Sequence, residues 1–139
     1  MVLRLGGLLY AISLNGTFIY SIFVSIKWNT IWFVLGVIVF IVSGICFVNA
    51  LINYAHTEPN KPVVTGIYKY SRNPQQIFAV FMWVGVGLAT TSYIILILCA
   101  LQLILVYPTF IAQEEFCIKK YGNDYVEYMK RSPRYLWKI

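Results

Sequence analysis

Two polar segments interrupt an otherwise apolar chain, and their residue types could bind a charged ligand. In the first, "SRNPQQ", Arg72 stands just before Pro74 at the start of an apolar run. In the second, "QEEF", Glu114 and Glu115 follow another apolar run. A helix that begins at Pro74 presents free backbone N–H groups and the positive end of its dipole, which favour an anion. Arg72 would add a fork of charged donors, and a glutamate would suit an ammonium group.

A simpler interpretation of the same residues is purely structural. Asn73, Pro74 and Gln76 have the residue types of an N-cap, a first helical position and the third position of a capping box. Arg72 could have no role beyond extending its side chain so that the charge lies among the lipid headgroups. Acidic residues in the first turn of a helix also favour its dipole. Local sequence leaves both interpretations open.

Composition identifies the class of protein that must position these residues. The chain has 139 residues, of which 60 % are hydrophobic and 12 % charged, and its mean hydropathy is +0.72. These values predict a single-domain membrane protein. The net charge of +6 lies in flanks that suit anionic headgroups, so we expect no nucleic acid partner. Three scattered cysteines and a single histidine predict neither a disulfide framework nor a metal site.

Charge-free runs predict an all-α integral membrane protein with about four transmembrane helices. A span needs about 20 apolar residues, and the runs place spans at about 5–26, 30–53, 76–90 and 93–111. The last two form a short helical hairpin. A polar loop at 56–75 and a C-terminal tail at 113–139, containing an amphipathic helix, complete this single membrane domain.

The distribution of lysine and arginine predicts the orientation. With four spans, the N-terminus, the polar loop and the tail share one face, which holds ten of the eleven basic residues and leaves only Lys27 opposite. Cytoplasmic segments carry the excess of basic residues. We therefore expect both termini and the active site to be cytoplasmic.

The two polar segments and the neighbouring tyrosines together suit S-adenosylmethionine. Arg72 and the start of the third span would take its carboxylate, and Glu114 or Glu115 its amine. Tyr68 and the tyrosines of the tail offer aromatic faces to a sulfonium cation or an adenine ring. Walker, GxGxxG, HExxH and GxSxG motifs are absent from the sequence, so the residues of soluble nucleotide folds and hydrolase triads are missing.

A family pattern supports this ligand. "VVTGIYKYSRNPQQ", followed about forty residues later by "QEEFCIKKYGNDYVEYMKRSPRYL", resembles the isoprenylcysteine carboxyl methyltransferase and phospholipid N-methyltransferase superfamily of integral membrane enzymes. The resemblance covers roughly residues 57 to 136. It implies an S-adenosylmethionine-dependent methyltransferase whose substrate is a lipid or a lipidated molecule from the bilayer.

The resemblance also implies site residues, position by position. The catalytic candidates are Arg72, Glu114 and Glu115. The cofactor-binding candidates are Asn60, Lys61, Pro62, Val63, Tyr68, Asn73, Pro74, Gln75, Gln76, Gln113, Glu114 and Tyr125. The family's acidic pair falls on either Gln113 and Glu114 or Glu114 and Glu115, so Glu114 belongs to it in both alignments.

Two positions depart from the family pattern, and two other functions stay open. Asn73 stands where the family usually has histidine, and Gln76 where it has tyrosine. The asparagine favours a phospholipid amine over a prenylcysteine-type carboxylate as the methyl acceptor. The tail also resembles that of membrane sterol reductases, which use NADPH. A non-catalytic small membrane protein is the other alternative.

Overall fold

A computed structural model describes residues 2–136, with side chains from Leu5 onward. Within that range the chain is helical and has no strand, which confirms the all-α prediction. The α-helices are α1 Val2–Ile22, α2 Ile31–Ala55, α3 Pro74–Ala89, α4 Tyr93–Leu105, α5 Tyr107–Tyr121 and α6 Asn123–Arg131, with a short 3-10 helix at Gly66–Lys69. The end of the predicted tail, including Lys138, lies outside the described residues.

Three stretches of helix are long and apolar enough to cross a membrane. They are Leu5–Ile22, Ile31–Ala55 and Tyr93–Tyr121, the last being α4 and α5 together. α3 is apolar but has only 16 residues, fewer than the roughly 20 that a straight span needs. The chain is therefore an integral membrane protein, and its fourth span stays a prediction.

The helices form a bundle in which α2 packs on α3, α3 on α4, and α4 and α5 on α1. Two glycines allow α2 and α3 to approach closely. A Cβ atom added to Gly36 would lie 2.5 Å from the carbonyl oxygen of Gly85, so no larger side chain fits between these backbones. Small residues at such crossings are typical of membrane helices.

A polar pair holds α1 against α4. Gln102 Nε2 donates a hydrogen bond of 2.8 Å to Thr17 Oγ1, and both residues are fully buried. A polar side chain in an apolar bundle needs such a partner because no water replaces it. The pair fixes the position of α4, which continues into the helix that carries the acidic residues.

The acidic residues lie inside a helix. The sequence predicted a span ending at 111 followed by a separate tail, but α5 begins at Tyr107 and continues to Tyr121. Pro108 occupies its first turn, where the missing N–H costs nothing. Gly122 then ends α5 with a positive φ of 60°, a conformation that glycine adopts readily. The short α6 follows, and residues 132–135, which we call the C-terminal strap, return toward the polar loop.

Candidate functional site

The start of α3 does not form the predicted capping box. Asn73 is the N-cap residue, but its side chain makes no capping hydrogen bond. Its Nδ2 instead donates to the carbonyl oxygen of Arg134 at 3.3 Å, and Gln76 Nε2 donates to Gln113 Oε1 at 3.3 Å. The backbone of Asn73, at φ −129° and ψ 51°, is also not the extended conformation usual for a side-chain cap. Both side chains therefore join the polar loop to the C-terminal half of the chain.

Glu114 lies at the centre of a buried cluster of charges. Only 4 % of the residue is exposed. Arg134 donates to both carboxylate oxygens, from Nε to Oε1 at 2.8 Å and from Nη2 to Oε2 at 2.7 Å. Arg72 Nη1 lies 3.3 Å from Oε1. The predicted partners Arg72 and Glu114 thus do meet, in a cluster of two cations and one anion.

Arg72 keeps donors that its surroundings do not use. Its side chain is only 10 % exposed, yet neither Nε nor Nη1 donates a hydrogen bond to any residue the structure describes. The contact of Nη1 with Glu114 is close enough for charge attraction but is not aligned as a hydrogen bond. Buried unpaired donors are costly and rare in folded proteins. Such donors are what an anionic ligand would satisfy.

Arg72 lines a cavity of about 1000 Å³ at the junction of α4, α5, α6 and the strap. Most of the cavity wall is apolar, and its apolar side chains include Leu103, Ile104, Leu105 and Met129. Ile104 is also 70 % exposed on the outer surface of α4. The cavity therefore combines a cationic end with an apolar wall that borders the lipid-facing surface.

The C-terminal strap is bonded to the polar loop along its length. The backbone N–H of Arg72 donates to the Pro133 carbonyl oxygen at 2.9 Å. Ser71 Oγ donates to the Arg134 carbonyl oxygen at 3.2 Å, and Ser132 Oγ donates to that of Lys69 at 3.2 Å. These bonds fix the loop beside α5 and bring Arg72 to Glu114.

The predicted cofactor-binding tyrosines are packed in a core. Tyr68, Tyr125 and Tyr128 cluster around Ala50, and Tyr128 donates a hydrogen bond of 2.7 Å to the Tyr68 carbonyl oxygen. Burial, and secondarily Tyr54, raises the pKa of Tyr68 to about 12. A phenol with so high a pKa is not a proton acceptor near neutral pH. The part of Tyr68 and Tyr125 in cofactor binding stays a prediction.

A second cavity, of about 540 Å³, shares Ser132 of the strap with the first. Lys61 and Pro62 of the predicted cofactor segment line it, together with Lys69, Asp124 and Glu127 among others. Five of its nine lining residues are charged, so we call it the polar cavity. The strap therefore contributes to the walls of both cavities.

The remaining predicted residues divide between the surface and the core. Asn60, Gln113 and Glu115 are exposed, Pro62, Val63 and Gln75 are half-buried, and Pro74 is buried. Because neighbouring residues of a helix point about 100° apart, α5 turns Glu114 inward and Glu115 outward. Of the predicted catalytic residues, only Arg72 and Glu114 come together.

Arg134 is the site residue that we did not predict from the sequence. Its guanidinium lies 5.0 Å from the centre of the Tyr107 ring, and the hydrogen bond to Glu114 raises the pKa of Arg134, which stays charged. The available signal was an arginine in "SPRYL", a short stretch whose proline ends the preceding helix. This pattern does not predict that Arg134 pairs with Glu114.

The donors of Arg72 that make no hydrogen bond suit a carboxylate such as that of S-adenosylmethionine, because charge-assisted hydrogen bonds are the strong ones. Asp124 and Glu127 suit an ammonium group but line the other cavity. The carboxylate and the amine of the cofactor share one carbon atom, so these two acids would not bind the amine of a cofactor held at Arg72.

Comparison with known proteins identifies one family. The family model of phospholipid methyltransferases matches residues 5–124, which is most of the chain. The match includes Arg72 and Glu114 but ends before α6 is complete and before Arg134. No curated protein and no solved structure matches.

Proposed function

Because the chain belongs to the phospholipid methyltransferase family, within the superfamily of integral membrane methyltransferases, we propose that it methylates an amine of a membrane lipid with S-adenosylmethionine. The observation that carries the proposal is Arg72, which has buried donors without a hydrogen-bond partner among the described residues, lines a mainly apolar cavity and has its Nη1 3.3 Å from Glu114 Oε1. A cationic group beside an apolar wall suits an amphipathic ligand with an anionic headgroup and an apolar chain.

The lipid in this proposal reaches the site from the side. The large cavity borders the outer surface of α4 at Ile104, so an acyl chain can lie against Leu103 and Ile104 without leaving the bilayer. The headgroup then lies near Arg72. A water-poor wall around the amine also keeps its lone pair weakly solvated and reactive.

S-adenosylmethionine would supply the methyl group: the lone pair of the lipid amine forms the new N–C bond, the S–C bond breaks and the sulfonium leaves as a thioether, and the nitrogen gives up one proton to water at the cytoplasmic face. In the proposal its carboxylate binds the polar loop at Arg72 or the polar cavity at Lys61 and Lys69. The contribution of the chain is alignment, because methyl transfer requires the acceptor to approach in line with the departing sulfur. Glu114 orients the arginines, since Arg134 already occupies both of its oxygens.

The proposal places the site and both termini on the cytoplasmic side. It rests on the ten of eleven basic residues that four spans would bring to one face. The cytoplasm is also where S-adenosylmethionine would enter the polar cavity.

Mass spectrometry of lipids tests the function directly. Detergent-solubilised protein is incubated with a lipid extract and with S-adenosylmethionine labelled in its methyl group. We expect a labelled lipid in which one hydrogen on nitrogen is replaced by methyl. Arg72→Ala should lower its yield at least tenfold, because charged hydrogen bonds are lost. Lys27→Ala, which removes an exposed cation elsewhere, should not. Protein that stays folded and labels no lipid would overturn the proposal.

A further inference from the structure

We infer that Arg134 is a positioning residue that keeps Arg72 free for an oxyanion by occupying both oxygens of Glu114. The inference rests on the proposed function. It adds a residue that lies beyond the family match at 5–124.

The distances assign Glu114 to Arg134. Both donors of the Arg134 fork meet the carboxylate, at 2.8 and 2.7 Å. The contact from Arg72 is longer, at 3.3 Å, and makes no hydrogen bond. A bidentate arginine takes two of the roughly four lone-pair sites of a carboxylate and fixes its orientation. In that orientation the contact from Arg72 is not aligned as a hydrogen bond, which in this inference is why the Arg72 donors stay free.

Removal of Arg134 would change the partner of Arg72. Glu114 is buried, and Arg72 would be the remaining cation of the cluster. An unpaired buried carboxylate is so costly that the nearest guanidinium is expected to turn onto it. The Arg72 donors would then form hydrogen bonds with Glu114 and would no longer be available to a ligand in the cavity.

Arg134 is itself held rigidly. Its carbonyl oxygen accepts hydrogen bonds from Ser71 Oγ and Asn73 Nδ2, and its guanidinium lies over the Tyr107 ring. One residue thus binds the polar loop through its backbone and α5 through its side chain. This rigidity lets Arg134 hold Glu114 without further loss of side-chain freedom.

The charge of the cluster selects the ligand. Two arginines and one glutamate give the cluster one net positive charge, and Lys130 also lines the cavity. These positive charges suit an oxyanion, which is the carboxylate of S-adenosylmethionine or the phosphate of a lipid. Both present oxygens that a guanidinium fork binds.

A set of four variants tests the inference by binding. The wild type, Arg134→Ala, the double variant Arg134→Ala/Glu114→Gln, and Arg72→Ala are titrated in detergent by calorimetry. One arm uses S-adenosylmethionine as the probe, and the other uses a short-chain phosphatidylethanolamine. The arm that responds identifies the source of the oxyanion.

We expect Arg134→Ala to weaken binding of one probe at least tenfold. In the double variant Arg72 has no carboxylate to pair with, so binding should return to within about threefold of the wild type. Arg72→Ala should lose the same binding with no recovery. If Arg134→Ala does not fold, Arg134→Gln replaces it, because glutamine cannot neutralise Glu114 either.

Recovery in the double variant is the decisive result, because a residue with only a structural role would give a double variant no better than the single one. That outcome, with the wild type still binding and methylating, would overturn the inference and leave the proposed function standing. Unchanged binding of both probes by Arg134→Ala would do the same. A wild type that binds neither probe would overturn both.

Discussion

Glu114→Ala should destabilise the protein far more than its position near the end of a membrane helix suggests. The substitution removes the one carboxylate between Arg72 and Arg134 and leaves a nearly buried and a half-buried positive charge close together. Breaking a buried ion pair from one side costs about 3–5 kcal/mol, because the remaining charge stays out of water. Arg134 is 26 % exposed and can regain some water, so we expect a loss of about 3 kcal/mol, at the lower end of that range.

Thermal unfolding in detergent, followed by circular dichroism, measures this loss. For a chain of this length 3 kcal/mol corresponds to a fall in Tm of about 10 °C. Glu115→Ala is the matched control, since Glu115 is the next residue of the same helix and is exposed. Its effect should stay within about 0.5 kcal/mol. Equal shifts in Tm for Glu114→Ala and Glu115→Ala would refute the claim that Glu114 stabilises the fold as the counter-ion of Arg72 and Arg134.

Three further predictions concern the packing around the site. Tyr128→Phe should lower the free energy of unfolding by about 1 kcal/mol in urea titration, because the buried Tyr68 carbonyl oxygen loses its 2.7 Å hydrogen bond. Gly36→Ala should lower Tm by several degrees, since its Cβ would lie 2.5 Å from Gly85 O, whereas Gly44→Ala should not, since its nearest neighbour is 4.0 Å away. The free energy of unfolding should fall as pH rises from 10 to 12, because folding raises the pKa of Tyr68 to about 12 while the unfolded phenol ionises near 10. A Tyr68→Phe variant whose free energy of unfolding falls with pH as steeply as that of the wild type would contradict this.

Local patterns in the sequence predicted the positions of the apolar helices better than their ends. The charge-free runs overlap α1, α2, α3 and α4, and Pro74 does begin α3, but the first run extends to 26 whereas α1 ends at Ile22. Such signals work because hydropathy and proline act on the residues next to them. Gly122 was predicted to stop a helix and does end α5. The break at Val106 and the continuity of α5 across the expected span end at 111 were not predicted, since an acidic pair at a membrane interface is equally compatible with a helix that ends and one that continues.

The side-chain contacts of the site could be predicted only in part. The family pattern named Arg72 and Glu114, and the structure brings them to 3.3 Å. It gave no role to Arg134, whose bonds to Glu114 and Ser71 join residues 20 and 63 positions apart. Contacts at such separations depend on how the helices pack, which no local signal encodes.

The capping box shows the opposite error. Asn73 and Gln76 have the right types and spacing for it, but the strap offers Asn73 a carbonyl oxygen and α5 offers Gln76 an amide. Tertiary partners therefore displaced a local motif. The two positions that depart from the family pattern thus both contribute hydrogen bonds between the two halves of the site.

Calorimetric titration of the detergent-solubilised protein with S-adenosylmethionine and with NADPH tests the central claim most directly. The proposed methyltransferase should bind S-adenosylmethionine with one site per chain and should not bind NADPH. Binding of NADPH alone would contradict the proposal and favour a reductase, and binding of neither would favour a protein without catalytic function.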